Sequence, residues 1–542
     1  MYSTGGSRAT ATRGTADPPR LAGRLGRIDR YAWLAAALTV GFVCLTAWWL
    51  SVDRSVQYND GAQHLFFAFS FRDALDHGAL LRALEYGNFY PPATYLLGAL
   101  STVVGGASVA TPVLAQNVVY VPLLAVSCYQ LGRRTHVPPA SSAGLLAVVF
   151  ALGAPLIAEQ FHVFMLDAPL TALVAATVWL LIASDRFARV GIAALAGLAF
   201  GLAVATKELA PAFVIGVLAC VLARGGWRNW RGLLAFAAVA LAIGAPWYVH
   251  QIAQGHAGLL FEAAGSGRDV PPAAAPPTVS LANLAWYGWA TLNGLLFAPL
   301  FAFAVVGVGA AIVRVRRARP HADPTLELLC GLGAAWFLLL LMPHHDMRYT
   351  MELIVFLAVL GTSWIVRLAA APRTFAVTLL IGAIVAAHLG ATFGVGGETS
   401  RRLPGNRRAA YGEGVPPRGR VIVYASNNYM VSGPHSHPDV LAFFRTLRRE
   451  GMRSIGWEDQ VERWDSAFED IGLIAFAYIA RIGVTPDEER SPAVQPGEAL
   501  LIRAHSLGGA GAPCLRLRDG TGVWVRMGVP GQLPQTRCPG GA

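Results

Sequence analysis

Apolar residues along this 542-residue chain gather in long, nearly uninterrupted blocks. A helix that crosses the hydrocarbon core of a bilayer needs about 20 such residues, with a range of roughly 17–25. Residues 31–52 meet that length. The block is too long for the apolar region of a secretion signal, and no small-residue cleavage site follows it. Ten further blocks lie at 111–131, 140–157, 168–183, 190–206, 209–223, 232–249, 295–313, 325–342, 350–370 and 374–393. The pattern predicts a mainly α, polytopic α-helical membrane protein of about 11 spans. Another apolar stretch, 90–104, opens on Pro91-Pro92, and we expect it to lie along the membrane or re-enter it within the first outer loop.

Past residue 393 the periodicity changes to that of an α/β domain. RVIVYA (420–425) reads as a strand, 437–451 as an amphipathic helix, 452–457 as a second strand and 458–470 as a second helix. IGLIAFAYIA (471–480) reads as a buried strand, and the Gly- and Pro-punctuated tail after about 498 as short strands. No Gly-rich phosphate loop follows any of these strands, which argues against a nucleotide site. The expected organisation is a tail over 1–30, a membrane domain over 31–393 and an extracytoplasmic α/β domain over 394–542.

Composition sharpens this picture. Charged residues make up 14% and apolar residues 54%, with a mean hydropathy of +0.47, against about 25% charged in an ordinary soluble domain. These values exclude a soluble enzyme, a disordered chain and a nucleic-acid module. The net charge of +11 is concentrated between spans. Arg8, Arg13, Arg20, Arg24, Arg27 and Arg30 mark a cytoplasmic N-terminus. With eleven spans, Arg133–Arg134, Arg186 with Arg189, Arg224 with Arg228 and Arg231, Arg314–Arg319, and Arg367 with Arg373 all fall on that same inner side. The segment 394–542 then lies outside, in the setting of a bacterial plasma membrane. Cys514 and Cys538 fall in it, in an oxidising compartment where they can pair, whereas Cys44, Cys128, Cys220 and Cys330 sit in spans as small buried hydrophobes.

Most acidic residues of the membrane domain fall in the outer loops, where polar groups at a membrane face often mark function. Asp60 precedes a helical stretch, 62–77, followed by another at 79–86; Asp167 stands at the mouth of a span before Ala-Pro. Each has a plain reading as a helix cap. Lys207 and Glu208 reach the membrane edge, where a snorkelling pair is the plain reading. The fifth outer loop carries His344, His345, Asp346, Arg348 and Tyr349. Its His-His-Asp could ligate a divalent metal, but no third-ligand spacing is evident, and a basic cluster for a phosphate fits better. No cofactor follows from the residues. Carboxylates on two loops and cations on two others, all on one face, suit glycosyl transfer from a lipid phosphate: a carboxylate takes the acceptor's proton and cations stabilise the leaving phosphate.

The ordered set NDGAQH, YPPATYLL, MLDAPLTAL, GLAFGLAVATKELAP, GAPWYV and HHDMRYTMELIVFLAVL resembles the C-type, multi-spanning glycosyltransferases that use polyprenyl-phosphate sugars. Protein O-mannosyltransferases and lipid A aminoarabinose transferases are among them. The resemblance covers about residues 31–370. It implies that Asp60 is the catalytic base, that Asp167 contacts the acceptor or the sugar, and that Lys207, Arg348 and Tyr349 hold the donor phosphate; to these we add His64 and Glu208 as acceptor- or sugar-binding candidates and His344 and His345 as phosphate-binding ones. The acceptor it implies is a lipid, glycan or protein. Two departures stand out: the first loop has a lone Asp60 between Asn59 and Gly61 where the family often has paired acids, and Glu208 follows the lysine where it often has glycine. The residues alone leave open a transporter or flippase of a lipid-linked sugar, although no internal repeat of the transporter kind is present.

Overall fold

The computed structural model describes residues 29–52, 57, 60–79, 90–136, 139–255, 277–317, 323–342, 346–369, 437–459, 475–484, 494–504, 512–516, 522–529 and 533–539, with a few residues between 378 and 386. Helix α1 (Arg30–Val52) has 23 residues and so a length of about 35 Å, enough for a hydrocarbon core of about 30 Å. It exposes Trp33, Leu34 and Val40, side chains that water would penalise and lipid does not. Then follow α2 (Asp60–Asp76), α3 (Ala93–Gly105), α4 (Ala110–Arg134), α5 (Ser141–Leu152), α6 (Pro155–Gln160), α7 (Asp167–Ala183), α8 (Val190–Val204), α9 (Ala210–Ala223) and α10 (Trp230–Ala253). Beyond residue 276 come α11 (Leu281–Ala290), α12 (Phe297–Arg317), α13 (Thr325–Leu341) and α14 (Ile354–Ala369). A π-helical turn, Thr291–Leu296, joins α11 to α12, and a 3-10 helix, Met347–Leu353, leads into α14.

Five helical runs among the described residues are long and apolar enough to cross a membrane, and six more apolar helices are shorter. The chain is a multi-pass helical membrane protein. Helix α7 is its central element, buried over nearly its whole length and packed on α4, α8, α9 and α14. The stretch 90–104 forms α3, whose 13 residues reach about 20 Å and pack on α2 and α4. Of the last expected span, 374–393, only 378–379, 381–383 and 385–386 are described, all of them helical, and 79–86 lie outside the described residues apart from Ala79.

The C-terminal segment builds on α15 (His437–Arg449) and a sheet of β1 (Ser454–Asp459), β2 (Gly483–Val484), β3 (Glu498–Ala504), β4 (Leu515–Arg516), β5 (Gly522–Met527) and β6 (Gln535–Thr536). The strand order is β2-β1-β3-β5-β4, with β6 also on β5. The first pairings, β1 with β2 and β1 with β3, are parallel, while β3–β5, β4–β5 and β5–β6 are antiparallel. Two expectations need correction. The described part of 471–480 is helical, not a strand, at 475–479, with Ala475, Phe476 and Ala477 buried; a short apolar run does not distinguish a buried strand from a buried helix. Strand β1 runs to Asp459, into the expected second helix; the remainder of that helix and the strand at 420–425 lie outside the described residues. Cys514 and Cys538 are joined, with Cα atoms 5.2 Å apart.

This segment shares one apolar core with α2 and α3, in which Leu65, Phe69 and Tyr95 join Val440, Phe444 and Phe476. The Phe66 and Tyr478 rings lie 5.9 Å apart, and the Ser70 hydroxyl donates to the Tyr478 oxygen at 3.4 Å. The α/β segment therefore sits at the end of the membrane domain where α2 begins with Asp60.

Candidate active site

Four segments far apart in sequence bring charged side chains to that end. Asp60 is the first residue of α2, where the positive end of the helix dipole favours a carboxylate. Asp167 is the first residue of α7, yet its side chain caps no backbone N–H of that helix. Instead it accepts from Lys207 Nζ at 2.6 Å. Lys207 stands in the turn between α8 and α9 and is 4% exposed, so it is no snorkelling membrane-edge residue: the buried Asp167 carboxylate holds it inside. Arg348 belongs to the 3-10 helix. Its Nη1 lies 2.5 Å from Asp60 Oδ2 and 4.0 Å from Asp167 Oδ2, and its Nη2 lies 2.5 Å from Asp346 Oδ2.

Local structure explains why these positions are so well defined. Asp346 caps the 3-10 helix through Oδ1, which accepts from the Arg348 backbone N–H at 2.8 Å, while its Oδ2 also accepts from Arg348 Nε at 2.8 Å. One carboxylate thus sets both the backbone and the side-chain direction of the arginine. The π-helical turn packs against this segment at Gly294, where a Cβ would fall 2.3 Å from Met347 Cε, so a larger residue there would displace the end of that methionine side chain. The loop before α7 is pinned from both sides. Asn117 Nδ2 donates to the Phe161 carbonyl at 2.7 Å, Gln116 Nε2 donates to the Val163 carbonyl at 3.3 Å, and the Phe164 N–H donates to Gln57 Oε1 at 3.2 Å.

Aromatic side chains close the cluster. The Lys207 ammonium lies 5.7 Å from the Tyr90 ring centroid and 5.0 Å from that of Tyr349, within reach of cation–π attraction. His64 is 3% exposed and shares a hydrogen bond of 2.9 Å between Nδ1 and the Tyr95 hydroxyl. Burial alone would raise the Asp60 carboxyl; the Arg348 guanidinium, with His64 and Lys207, overrides it and holds the group down at about 2. Burial pushes the His64 imidazole down to about 4. It also pushes Glu208 up from the usual carboxylate range, and one oxygen of Glu208 has no hydrogen-bond partner among the described residues.

Of the residues singled out from the sequence, Asp60, Asp167, Lys207, Arg348 and Tyr349 meet in one cluster, with His64 and Glu208 at its margin. His344 and His345 lie outside the described residues. Among the described residues no three His, Cys, Asp or Glu side chains are grouped to hold a metal ion. Sequence reading missed Asp346 as the arginine's clamp, Tyr90 as a wall for the ammonium, and Glu352, a buried carboxyl 1% exposed that follows Tyr349 by three residues. Tyr90 was within reach, as the first letter of YPPATYLL; the other two needed the 3-10 geometry.

Fold and cluster together define a polytopic membrane protein with paired acids and cations at one end of its helices. A family model described as dolichyl-phosphate-mannose-protein mannosyltransferase matches residues 90–250. The fold is that of ArnT from Cupriavidus metallidurans. The structure of that protein bound to undecaprenyl phosphate superposes with a TM-score of 0.51 at 17% identity, covering 88% of this chain and 93% of that one. Its apo state gives 0.50 at 15%, covering 88% and 92%. No curated protein sequence matches the chain. The resemblance drawn from the sequence therefore holds: the chain is similar to the C-type, multi-spanning glycosyltransferases, and the family match with the shared fold supports a membrane glycosyltransferase.

Proposed function

We propose that the chain transfers a sugar from a polyprenyl-phosphate donor to an acceptor hydroxyl at the membrane face that carries the cluster. The N-terminus is then cytoplasmic and the C-terminal domain extracytoplasmic, in a bacterial plasma membrane. The observation that carries this reading is the meeting of Asp60, Asp167, Lys207 and Arg348 through contacts of 2.5–4.0 Å. The acceptor oxygen attacks the anomeric carbon, the bond from that carbon to the phosphate oxygen breaks, and Asp60 takes the acceptor's proton. Lys207 and Arg348 stabilise the phosphate as it leaves. Asp167 keeps the lysine in place, Tyr349 walls it, and His64 and Glu208 face the sugar or acceptor.

One feature of the geometry gives this reaction an order. Clamped by Arg348, Asp60 is too weak a base to accept a proton readily. A donor phosphate competes for the same guanidinium, loosens its hold on Asp60 and raises the basicity of the carboxylate when the substrate is present. The structure of ArnT with undecaprenyl phosphate supports the choice of donor class.

The test is a panel of synthetic polyprenyl-phosphate hexoses and pentoses offered to the purified chain in vesicles. Release of free polyprenyl phosphate, with a matching sugar gained by an envelope glycolipid, glycan or protein, is the expected result. Movement of intact donor across the vesicle with no bond cleaved would instead make the chain a flippase. A periplasm-active phosphatase fused after Ala542 should be active; a silent one would reverse the orientation.

A further inference from the structure

The opposite end of the same helices carries a second charged feature that the transfer reaction does not use. Helix α7 runs about 25 Å from Asp167 to Ala183, so the turn beyond it lies near the other membrane surface. Trp227 and Trp230, 61% and 60% exposed, mark that level, each beneath a neighbouring arginine, Arg228 and Arg231; exposed tryptophans favour the interface between lipid and water. Between the ends of α4, α7, α9 and α13 there is a cavity of about 260 Å³ whose lining includes Arg134, His136, Arg186, Arg224, Asp323 and Glu327.

The lining by itself balances, Arg134, Arg186 and Arg224 against Asp185, Asp323 and Glu327, and the neighbouring Arg314 tips the site to a net positive charge. Glu327 is taken by Arg224, and Asp323 lies 3.3 Å from Arg314. Arg134 and Arg186 have no carboxylate partner among the described residues, and Arg134 also lies near Arg133 and Arg189. Asp185, on the rim, is exposed and likewise lacks an ion-pair partner among the described residues. A half-buried cation among other cations is costly unless an anion joins it.

The backbone keeps Arg186 there against its own preference. Asp185, Arg186 and Phe187 are consecutive residues with φ of 51°, 56° and 67°, the left-handed region that side chains other than glycine avoid. Ser184 Oγ accepts from the Phe187 N–H at 3.0 Å, and Asn229 Nδ2 donates to the Arg186 carbonyl at 2.8 Å. Phe187 is fully buried, and a Cβ on Gly232 would fall 2.0 Å from its carbonyl oxygen, so the strained turn is locked between α7 and α10. A conformation of that cost persists where the surrounding structure over-determines it.

We propose that this cavity binds a phosphate group, with Arg134 and Arg186 as its donors. The guanidinium fork matches phosphate oxygens in pairs. The volume is below the roughly 300–1,000 Å³ of a drug-sized ligand site, which suits a headgroup rather than a whole lipid. Two sources share this chemistry: the headgroup of an anionic phospholipid in the adjoining leaflet, as basic pockets between spanning helices accept, and a soluble phosphoester. The site is independent of the transfer reaction, since it lies across the bilayer from the Asp60 cluster.

Native mass spectrometry of the purified full-length chain tests this with dioleoylphosphatidylglycerol, dioleoylphosphatidylcholine and glycerol 3-phosphate as probes. Retention of phosphatidylglycerol over phosphatidylcholine is expected for a lipid source, and of glycerol 3-phosphate for a soluble one. Arg134→Gln and Arg186→Gln should each weaken the retained probe by about tenfold or more, the scale of a lost hydrogen bond to a charged group. Arg228→Gln and Arg231→Gln, on the same side but not lining the cavity, should leave it unchanged, and Asp185→Asn should strengthen it. Arg186 is exposed, so its variant tests the site without disturbing the core. No selective retention of either phosphate probe by the wild-type chain, or equal losses in cavity and control variants, would overturn the proposal.

Discussion

The two ends of helix α7 handle charge in opposite ways. At the Asp167 end each cation is answered: the buried lysine faces the buried Asp167, and one partly exposed arginine is shared by Asp60, Asp346 and, at 4.0 Å, Asp167. At the Ala183 end, arginines outnumber the carboxylates that reach them, and the cavity between them is open to the interface. Buried charges far from water must be paired to persist, whereas interfacial arginines can wait for a mobile anion. The first arrangement suits chemistry that needs fixed charges before the substrate arrives. The second suits reversible binding.

The comparison is broken most severely by removing the candidate base. Asp60→Asn keeps the shape of the carboxylate but cannot take a proton. It should lower turnover by about 10² or more, the usual scale of general-base loss, with donor binding retained in a filter assay. Near-normal turnover would shift the role to Asp167.

Next in size is the buried pair. Lys207→Met leaves the buried Asp167 carboxylate with only Arg348, at 4.0 Å, and should cost about 3–5 kcal/mol of stability, as a broken buried ion pair does. Adding Asp167→Asn should recover much of the loss in thermal unfolding of the detergent-solubilised chain. Lys207→Arg keeps the charge, yet the site between the Tyr90 and Tyr349 rings admits a compact ammonium better than a planar fork. Most transferase activity should be lost in that variant too; wild-type rates would leave Arg348 as the main phosphate ligand.

A change within the α/β segment should act on stability alone. The Cys514–Cys538 bond closes a loop with a sequence separation of 24 residues, worth about 3 kcal/mol in the chain-entropy model. The Cys514→Ser and Cys538→Ser double variant should unfold that segment earlier on heating, while proteolysis finds the membrane helices as resistant as before.

The smallest expected effect concerns pH. Asp60, held down to about 2, is ionised and His64, held down to about 4, is neutral at every pH above 5. In the free protein neither group changes state between pH 5 and 8, so neither places an inflection in the profile of kcat/KM over that window. For His64 the folded pKa lies below the ordinary value of 6.5. The unfolded chain therefore binds the extra proton first, and stability falls as pH drops from 6.5 towards 4. An inflection near 6.5 that vanished in His64→Gln would show the imidazole to be accessible rather than buried.

Spanning helices were legible from the sequence because a bilayer imposes a length of apolar residues, and a backbone in lipid can satisfy itself only as a helix. The block at 31–52 and that at 232–249 illustrate this: each is an unbroken apolar run, and each is helical in the structure. The composition also set apart Lys207, the single lysine beside 42 arginines. What no pattern could supply was the partner of each ion. Asp60 and Arg348 are 288 positions apart, and the plain reading of Asp167 as a helix cap and of Lys207 as a snorkelling residue satisfied every local rule. Only the packing of α7 against the α8–α9 turn and the 3-10 helix turned those two residues towards each other. The same limit applied to 471–480, where a continuous apolar run carries no period to reveal its conformation. Local chemistry and the membrane decide where this chain forms its helices. Tertiary packing decides which charges meet, because a buried ion takes its partner from whatever element the fold brings near it, at any distance along the chain.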